Sequence, residues 1–276
     1  MPQPATEIQE SGGVVTPHLR RLLEFVEPAR DDVCLDVARG PGPLPAALGP
    51  RVRHVTAVEA ARAAASPGRG RTSTVMFGTG PVRISGSGDL VGTPAHSARL
   101  AHAGTARHRD ITHGAQIQAD ARRLPYRNGA FSLVTARFSL YRLGDPDRVL
   151  RELLRVCRPG GRLIIADLVQ GTRAGPGRDR IERIRDPDHP GTPSITRLTE
   201  LISGAGATVR RLDAFTVERP VEPWLAGAHD AGAADRIRAA LTAEVDGGPR
   251  TGTKPRVIGG ELWFTQSWAH IAAEPV

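Results

Sequence analysis

Val33-Cys-Leu-Asp-Val-Ala-Arg-Gly-Pro-Gly-Pro-Leu-Pro-Ala-Ala-Leu48 changes character twice within sixteen residues. Its first five have the apolar composition of a buried strand. Gly40 and Gly42 then make a turn in which a ligand can approach the backbone closely, and the residues from Pro43 onward read as a helix start that would offer unpaired N–H groups. A second strand is expected over residues 52–58 (VRHVTAV), ending at Glu59. A strand, a glycine turn, a helix and a second strand ending in a carboxylate form the layout of a nucleotide or nucleoside site, with Glu59 placed to accept both ribose hydroxyls.

The pattern continues on both sides of this core. Residues 18–25 read as a helix with Leu19, Leu22 and Leu23 on one side. Residues 116–119 and 131–136 (FSLVTA) read as strands. Asp145 caps a helix that carries Pro146 in its first turn, with Val149, Leu150, Leu153, Leu154 and Cys157 on one face. Pro159-Gly160-Gly161 stops that helix, and residues 162–169 (RLIIADLV) form the next strand. A helix opening at Pro193, a helix over about 234–245 and strands over 207–215 and 262–271 complete the chain. Alternating strands and helices imply an α/β fold with a mostly parallel sheet, helices on both faces and an antiparallel last strand.

Residues 61–113 interrupt this order. Gly, Ser, Thr, Arg and His dominate there, and the apolar residues keep no period. A loop of that length is uncommon inside a compact domain, so the stretch reads as an irregular insertion or replaced segment within a single domain covering residues 1–276. A stretch of gene read in a shifted frame would have the same composition, and the nucleotide sequence tests that origin.

At 276 residues and 39% hydrophobic, the chain can bury one substantial core. The net charge of +8 would suit a polyanion, but the arginines are scattered and Lys254 is the only lysine, so charge gives little support to a nucleic-acid partner. Cys34 and Cys157 have no metal-type spacing, and no metal site is expected. The first residues lack a basic start followed by an apolar run, and no stretch has the length of a membrane span. The expectation is therefore a cytoplasmic protein with reduced thiols and no membrane contact.

Downstream of the glycine turn, Gln118-Ala-Asp-Ala-Arg-Arg-Leu-Pro-Tyr126 precedes Gly129-Ala-Phe-Ser-Leu-Val134 and then Leu153-Leu-Arg-Val-Cys-Arg-Pro-Gly-Gly-Arg-Leu163. In this order the chain resembles the class I S-adenosylmethionine-dependent methyltransferases, in particular the ubiquinone/menaquinone biosynthesis type that acts on small molecules. The resemblance covers most of the chain outside 61–113. It implies a Rossmann-like methyltransferase sheet, S-adenosylmethionine as cofactor, and methyl transfer to an oxygen or carbon of a small organic acceptor. It further implies cofactor contacts at Asp36, Ala38, Gly40, Gly42, Glu59, Asp120, Ala121 and Arg137. Asp120 and Ala121 would meet the adenine, and Arg137 would line the floor beside the methionine portion.

Two features depart from the family pattern. Arg39 stands in the glycine turn, where it could face solvent, pair with the cofactor carboxylate or obstruct the pocket. The segment 61–113 replaces the helix and short strand that usually cover the cofactor. Both favour the rival reading of a methyltransferase-like ligand-binding protein that transfers no methyl group. An RNA methyltransferase is supported by charge alone, and the absence of an Asn/Asp-Pro-Pro-Tyr/Phe motif disfavours methylation of a base's exocyclic amine. For a catalytic base the sequence offers only His189 and Tyr141, and His189 reads more readily as a solvated turn residue. Trp224, Trp263 and Trp268 read as core or lid residues.

Overall fold

The computed structural model describes residues 17–38, 42–60, 115–137, 140–171 and 177–276, together with the backbone of three short strands within 73–91. The chain divides into two compact units. The larger takes the described residues up to Asp167, then Thr199–Leu212 and His270–Val276; the smaller takes Leu168–Leu198 and Asp213–Ala269.

In the larger unit, α1 (Pro17–Val26) leads to β1 (Val33–Ala38), the short α2 (Pro43–Leu48) and β2 (His54–Ala60). After β6 (Ala115–Ala119) come β7 (Phe131–Arg137), α3 (Pro146–Val156) and β8 (Cys157–Leu168). The strand order is β11-β8-β7-β1-β2-β6, where β11 is Glu261–Pro275, and β1 runs parallel to both β2 and β7. Cys34, Leu35 and Val37 are all fully buried, so both faces of β1 are covered, as a central parallel strand requires. On one face Leu19, Leu22 and Leu23 of α1 pack with Leu44 and Leu48 of α2 onto Cys34, Val55, Leu133 and Ile164.

Local chemistry accounts for the helix ends. The Asp145 side chain accepts from the Asp147 and Arg148 amides, and Pro146 occupies the first turn. At the other end, α3 passes directly into β8 at Cys157, whose backbone is already extended (φ −75°, ψ 132°), and Gly160 turns the chain three residues on with a φ of +70°. Gly161 lies so close to the neighbouring backbone that a Cβ would come within 2.9 Å of the Ser132 and Arg158 carbonyl oxygens. Beneath β1, Asp32 ties three segments together. Its carboxylate accepts from the Arg162 guanidinium at 2.6 Å, the Ser132 hydroxyl at 2.7 Å and the Ala29 amide at 2.8 Å.

The smaller unit contains α4 (Gly177–Arg185), the first residues of α5 (Ile195–Gly204), α6 (Val221–Leu225), α7 (Ala231–Val245) and β10 (Arg256–Ile258), which pairs antiparallel with the start of β11. β9 (Ala207–Pro220) also pairs with β11. Ile181, Trp224, Ile237, Leu241 and Phe264 form its core, and the Trp224 and Phe264 rings meet at 4.7 Å.

Several boundaries differ from the sequence reading. The helix expected from Pro193 begins at Ile195, because Ser194 caps it by accepting from the Arg197 amide. β9 and β11 run well beyond 207–215 and 262–271, since pairing sustains strands whose own alternation has faded. Within 61–113 three short strands form, β3 (Ser73–Phe77), β4 (Gly80–Ile84) and β5 (Leu90–Val91), arranged as an antiparallel sheet of their own. No helix among the described residues is long and apolar enough to cross a membrane.

Candidate functional site

Parallel register brings the expected site residues of the larger unit to one sheet edge. Ala38, the last residue of β1, lies opposite Glu59 on one side and Arg137 on the other, and Glu59 lies opposite Gln118. Strand alternation puts Asp36, Glu59, Thr135 and Arg137 on the face that also carries Cys34, Val55 and Leu133. With strands about 4.8 Å apart, the row spans the width of a nucleoside.

Arg137 and Asp36 are the most constrained pair in this row. The guanidinium donates to Asp36 from Nε at 3.2 Å and from Nη2 at 3.0 Å, and the Thr135 hydroxyl donates to the same carboxylate at 2.5 Å. All three residues are buried. Gly42, just before α2, lies against this guanidinium: a Cβ there would sit 2.4 Å from Arg137 Nη2. Any larger residue there would therefore have to push the guanidinium aside. Arg137 thus lies against Gly42 of the turn and is held there by Asp36. Arg39, with its three alternative roles, and Gly40 lie outside the described residues.

The helix after the turn supplies fewer donors than the sequence reading expected. α2 is six residues long, and Pro43 and Pro45 lack an N–H. Glu59 is half-buried at the end of β2, with no hydrogen bond or ion pair to its carboxylate among the described residues.

Asp120 follows β6 and is exposed, while Ala121 is buried. The Asp120 carboxylate accepts from the Arg122 amide at 2.9 Å and pairs with the Arg122 side chain at 2.9 Å. Burial would raise this carboxyl, but the hydrogen bonds and charge of Arg122 outweigh it and hold it below the usual carboxylate range. The loop that follows is fastened to α3. Glu152 accepts from the Leu124 amide at 2.6 Å, and Arg155 donates to the Tyr126 carbonyl and the Asn128 side chain, each at 2.8 Å.

Tyr141 lies half-buried in a 3₁₀ turn, Leu140–Arg142. His189 belongs to the smaller unit and is buried, which corrects the expectation of a solvated turn residue. Its Nε2 is 3.5 Å from an Asp179 carboxylate oxygen and 3.4 Å from the Thr192 hydroxyl. Trp224, Trp263 and Trp268 are all buried. No group of three or more potential metal ligands occurs among the described residues.

Sequence reasoning missed Thr135 and the Glu152–Arg155 clasp. A signal for the first was present, because Thr135 and Arg137 are polar residues two apart in an apolar strand, as Asp36 is in its own. Nothing in α3 marks Glu152 and Arg155, since charged residues on a helix usually face solvent.

Residues 35–165, from β1 into β8, match the family model described as Methyltransferase domain. Demethylmenaquinone methyltransferase of Mycolicibacterium vanbaalenii is 38% identical over 86 residues, covering 31% of this chain and 36% of that protein. The ubiquinone/menaquinone biosynthesis C-methyltransferase UbiE of Idiomarina loihiensis is 43% identical over 51 residues, 18% of this chain and 20% of the relative. The matched stretches thus span about a third or less of these relatives. Among solved structures, the YcgJ protein of Bacillus subtilis superposes with a TM-score of 0.65 at 16% identity, covering 93% of this chain and 97% of that one. A geranyl diphosphate methyltransferase solved with S-adenosylmethionine gives 0.50 at 16% identity, covering 93% and 84%. At such identities the likeness is one of fold.

Proposed function

We propose that this chain, whose residues 35–165 match the family model described as Methyltransferase domain, is a class I S-adenosylmethionine-dependent methyltransferase that transfers a methyl group to an oxygen or carbon of a small organic acceptor. The observation that carries the reading is the row of Glu59, Ala38 and Arg137 along one sheet edge, with Gly42 closed against the Arg137 guanidinium. These residues fit the cofactor: a carboxylate available for the ribose, a glycine at a point of close approach, and a cation beside it for the amino-acid end.

When bound, S-adenosylmethionine supplies an electrophilic methyl group on a sulfonium, and its transfer leaves a neutral thioether. Glu59 accepts from the two ribose hydroxyls. Arg137, oriented by Asp36 and Thr135, presents its remaining N–H groups to the cofactor carboxylate. Ala121 contributes a backbone N–H on the adenine side, and Asp120 keeps lone pairs for the exocyclic amine beyond those used by Arg122. Alignment of the acceptor with the methyl group supplies much of the rate. Tyr141, in the same unit, is the group we put forward for acid–base assistance, and Tyr141→Phe tests that role.

Similarity to quinone-biosynthesis methyltransferases supports a small acceptor. Two buried free thiols are consistent with work in the cytoplasm.

Titration of the purified chain with S-adenosylmethionine tests the proposal. Saturable binding is expected, weakened in Glu59→Ala by about 1.5–3 kcal/mol, the range for a charged hydrogen bond. Absence of binding, or unchanged affinity in that variant, would overturn the site as placed.

A further inference from the structure

We propose that the smaller unit holds a second ligand site, built for an organic monoanion with a flat, apolar body, whose acid group is received by Lys254. The site is a cavity of about 500 Å³ lined by residues of that unit alone, within the range that encloses small organic ligands. The inference stands apart from the methyl-transfer reading and uses none of its residues.

Charge selects the anion. Two cations line the cavity, Arg178 and Lys254, and no carboxylate side chain is among its described lining residues. They differ in what already holds them. Arg178 is paired with buried Glu182 at 2.9 Å and donates to the Thr265 carbonyl at 2.8 Å, so its charge is compensated. Lys254 has no ion-pair partner among the described residues, which leaves one uncompensated positive charge at the cavity. One charge suits a monoanion better than a phosphate or a dicarboxylate.

The walls select the body. Phe215 and Trp268 line the cavity with ring centroids 6.1 Å apart, and the Trp268 indole N–H is committed to Gln266 at 3.2 Å, which fixes the ring. An aromatic corner with the indole held in place favours a flat hydrophobic ligand over a sugar or a flexible chain.

Backbone geometry gives an independent indication. Lys254 has a φ of +51°, a left-handed conformation uncommon for a lysine and disfavoured further by the proline that follows. The preceding residues hold it there: the Thr251 and Thr253 hydroxyls meet at 2.7 Å, and the Glu244 carboxylate accepts from the Thr251 amide at 2.6 Å. A strained backbone maintained by a buried network beneath an exposed cation is the arrangement expected where that cation is aimed at a ligand.

Calorimetry on the full chain with biphenyl-4-carboxylate and its methyl ester tests the inference. The acid is expected to bind at least tenfold more tightly than the ester. Lys254→Met should weaken the acid by about tenfold while leaving the ester unchanged, and Lys254→Arg should restore most of the loss. Ala214→Trp, which fills the cavity from its rim, should abolish binding of both. Equal affinity for acid and ester, no effect of Lys254→Met, retained binding in Ala214→Trp, or no binding of the acid at millimolar concentration would each overturn it.

Discussion

Arg137 reaches across from the neighbouring strand to hold Asp36 through two hydrogen bonds, in a pair whose side chains are 8% and 2% exposed. Ionised groups so far from water are stable only together. Asp36→Ala is therefore expected to cost about 3–5 kcal/mol of folding stability, because it leaves a buried guanidinium uncompensated. Urea unfolding measures this, and a loss below about 1 kcal/mol would contradict a buried, mutually dependent pair.

Gly42 depends on the same guanidinium. In Gly42→Ala the new methyl group would meet Arg137 Nη2 at 2.4 Å, so the long side chain must move away from Asp36. A stability loss of about 1–3 kcal/mol is expected, the usual cost of overpacking, together with weaker S-adenosylmethionine binding. Wild-type affinity in a folded Gly42→Ala protein would show that Arg137 takes no part in the cofactor site.

Asp32 makes stability depend on acidity. Burial would raise its carboxyl, but hydrogen bonds from Arg162, Ala29 and Ser132 and the Arg162 charge outweigh that and hold it below the ordinary value. A carboxyl lowered in the folded state stabilises the protein above its unfolded pKa, near 4, and that contribution is lost as pH falls through the lower folded value. Denaturation midpoints should fall below about pH 4, and Asp32→Asn should flatten that part of the profile. An unchanged acid limb in the variant would refute the assignment.

Both thiols should be inert in the native protein. Burial pushes the Cys157 thiol up to about 12, and burial followed by the nearby Asp36 and Asp32 charges raises Cys34 well above its usual range. At pH 8 a thiol-specific chromogenic reagent should therefore react only after unfolding and should then titrate both cysteines. Rapid labelling of the folded chain would mean that β1 or the α3–β8 junction opens locally.

The sequence by itself determined the order of elements and pointed to the nucleoside-type site proposed above, because both rest on short-range chemistry. Apolar runs mark β1, β7 and β8. Asp145 and Pro146 mark the start of α3, and the glycines between Ala38 and Pro43 mark the turn. Glu59 was legible for the same reason, as an acid at the end of a strand pattern. Only the tertiary structure decided which polar groups are partners. Asp36 and Arg137 are separated by 101 residues and meet because β1 and β7 pair in parallel register. Register depends on the packing of whole strands, so no local motif encodes it. His189 reads as solvated in the sequence for a related reason: a Pro-Asp-His-Pro turn is polar, while its burial depends on Asp179 and Thr192 folding around it. The Lys254 cavity was equally invisible, since its walls come from segments between Leu168 and Trp268 that only folding brings together.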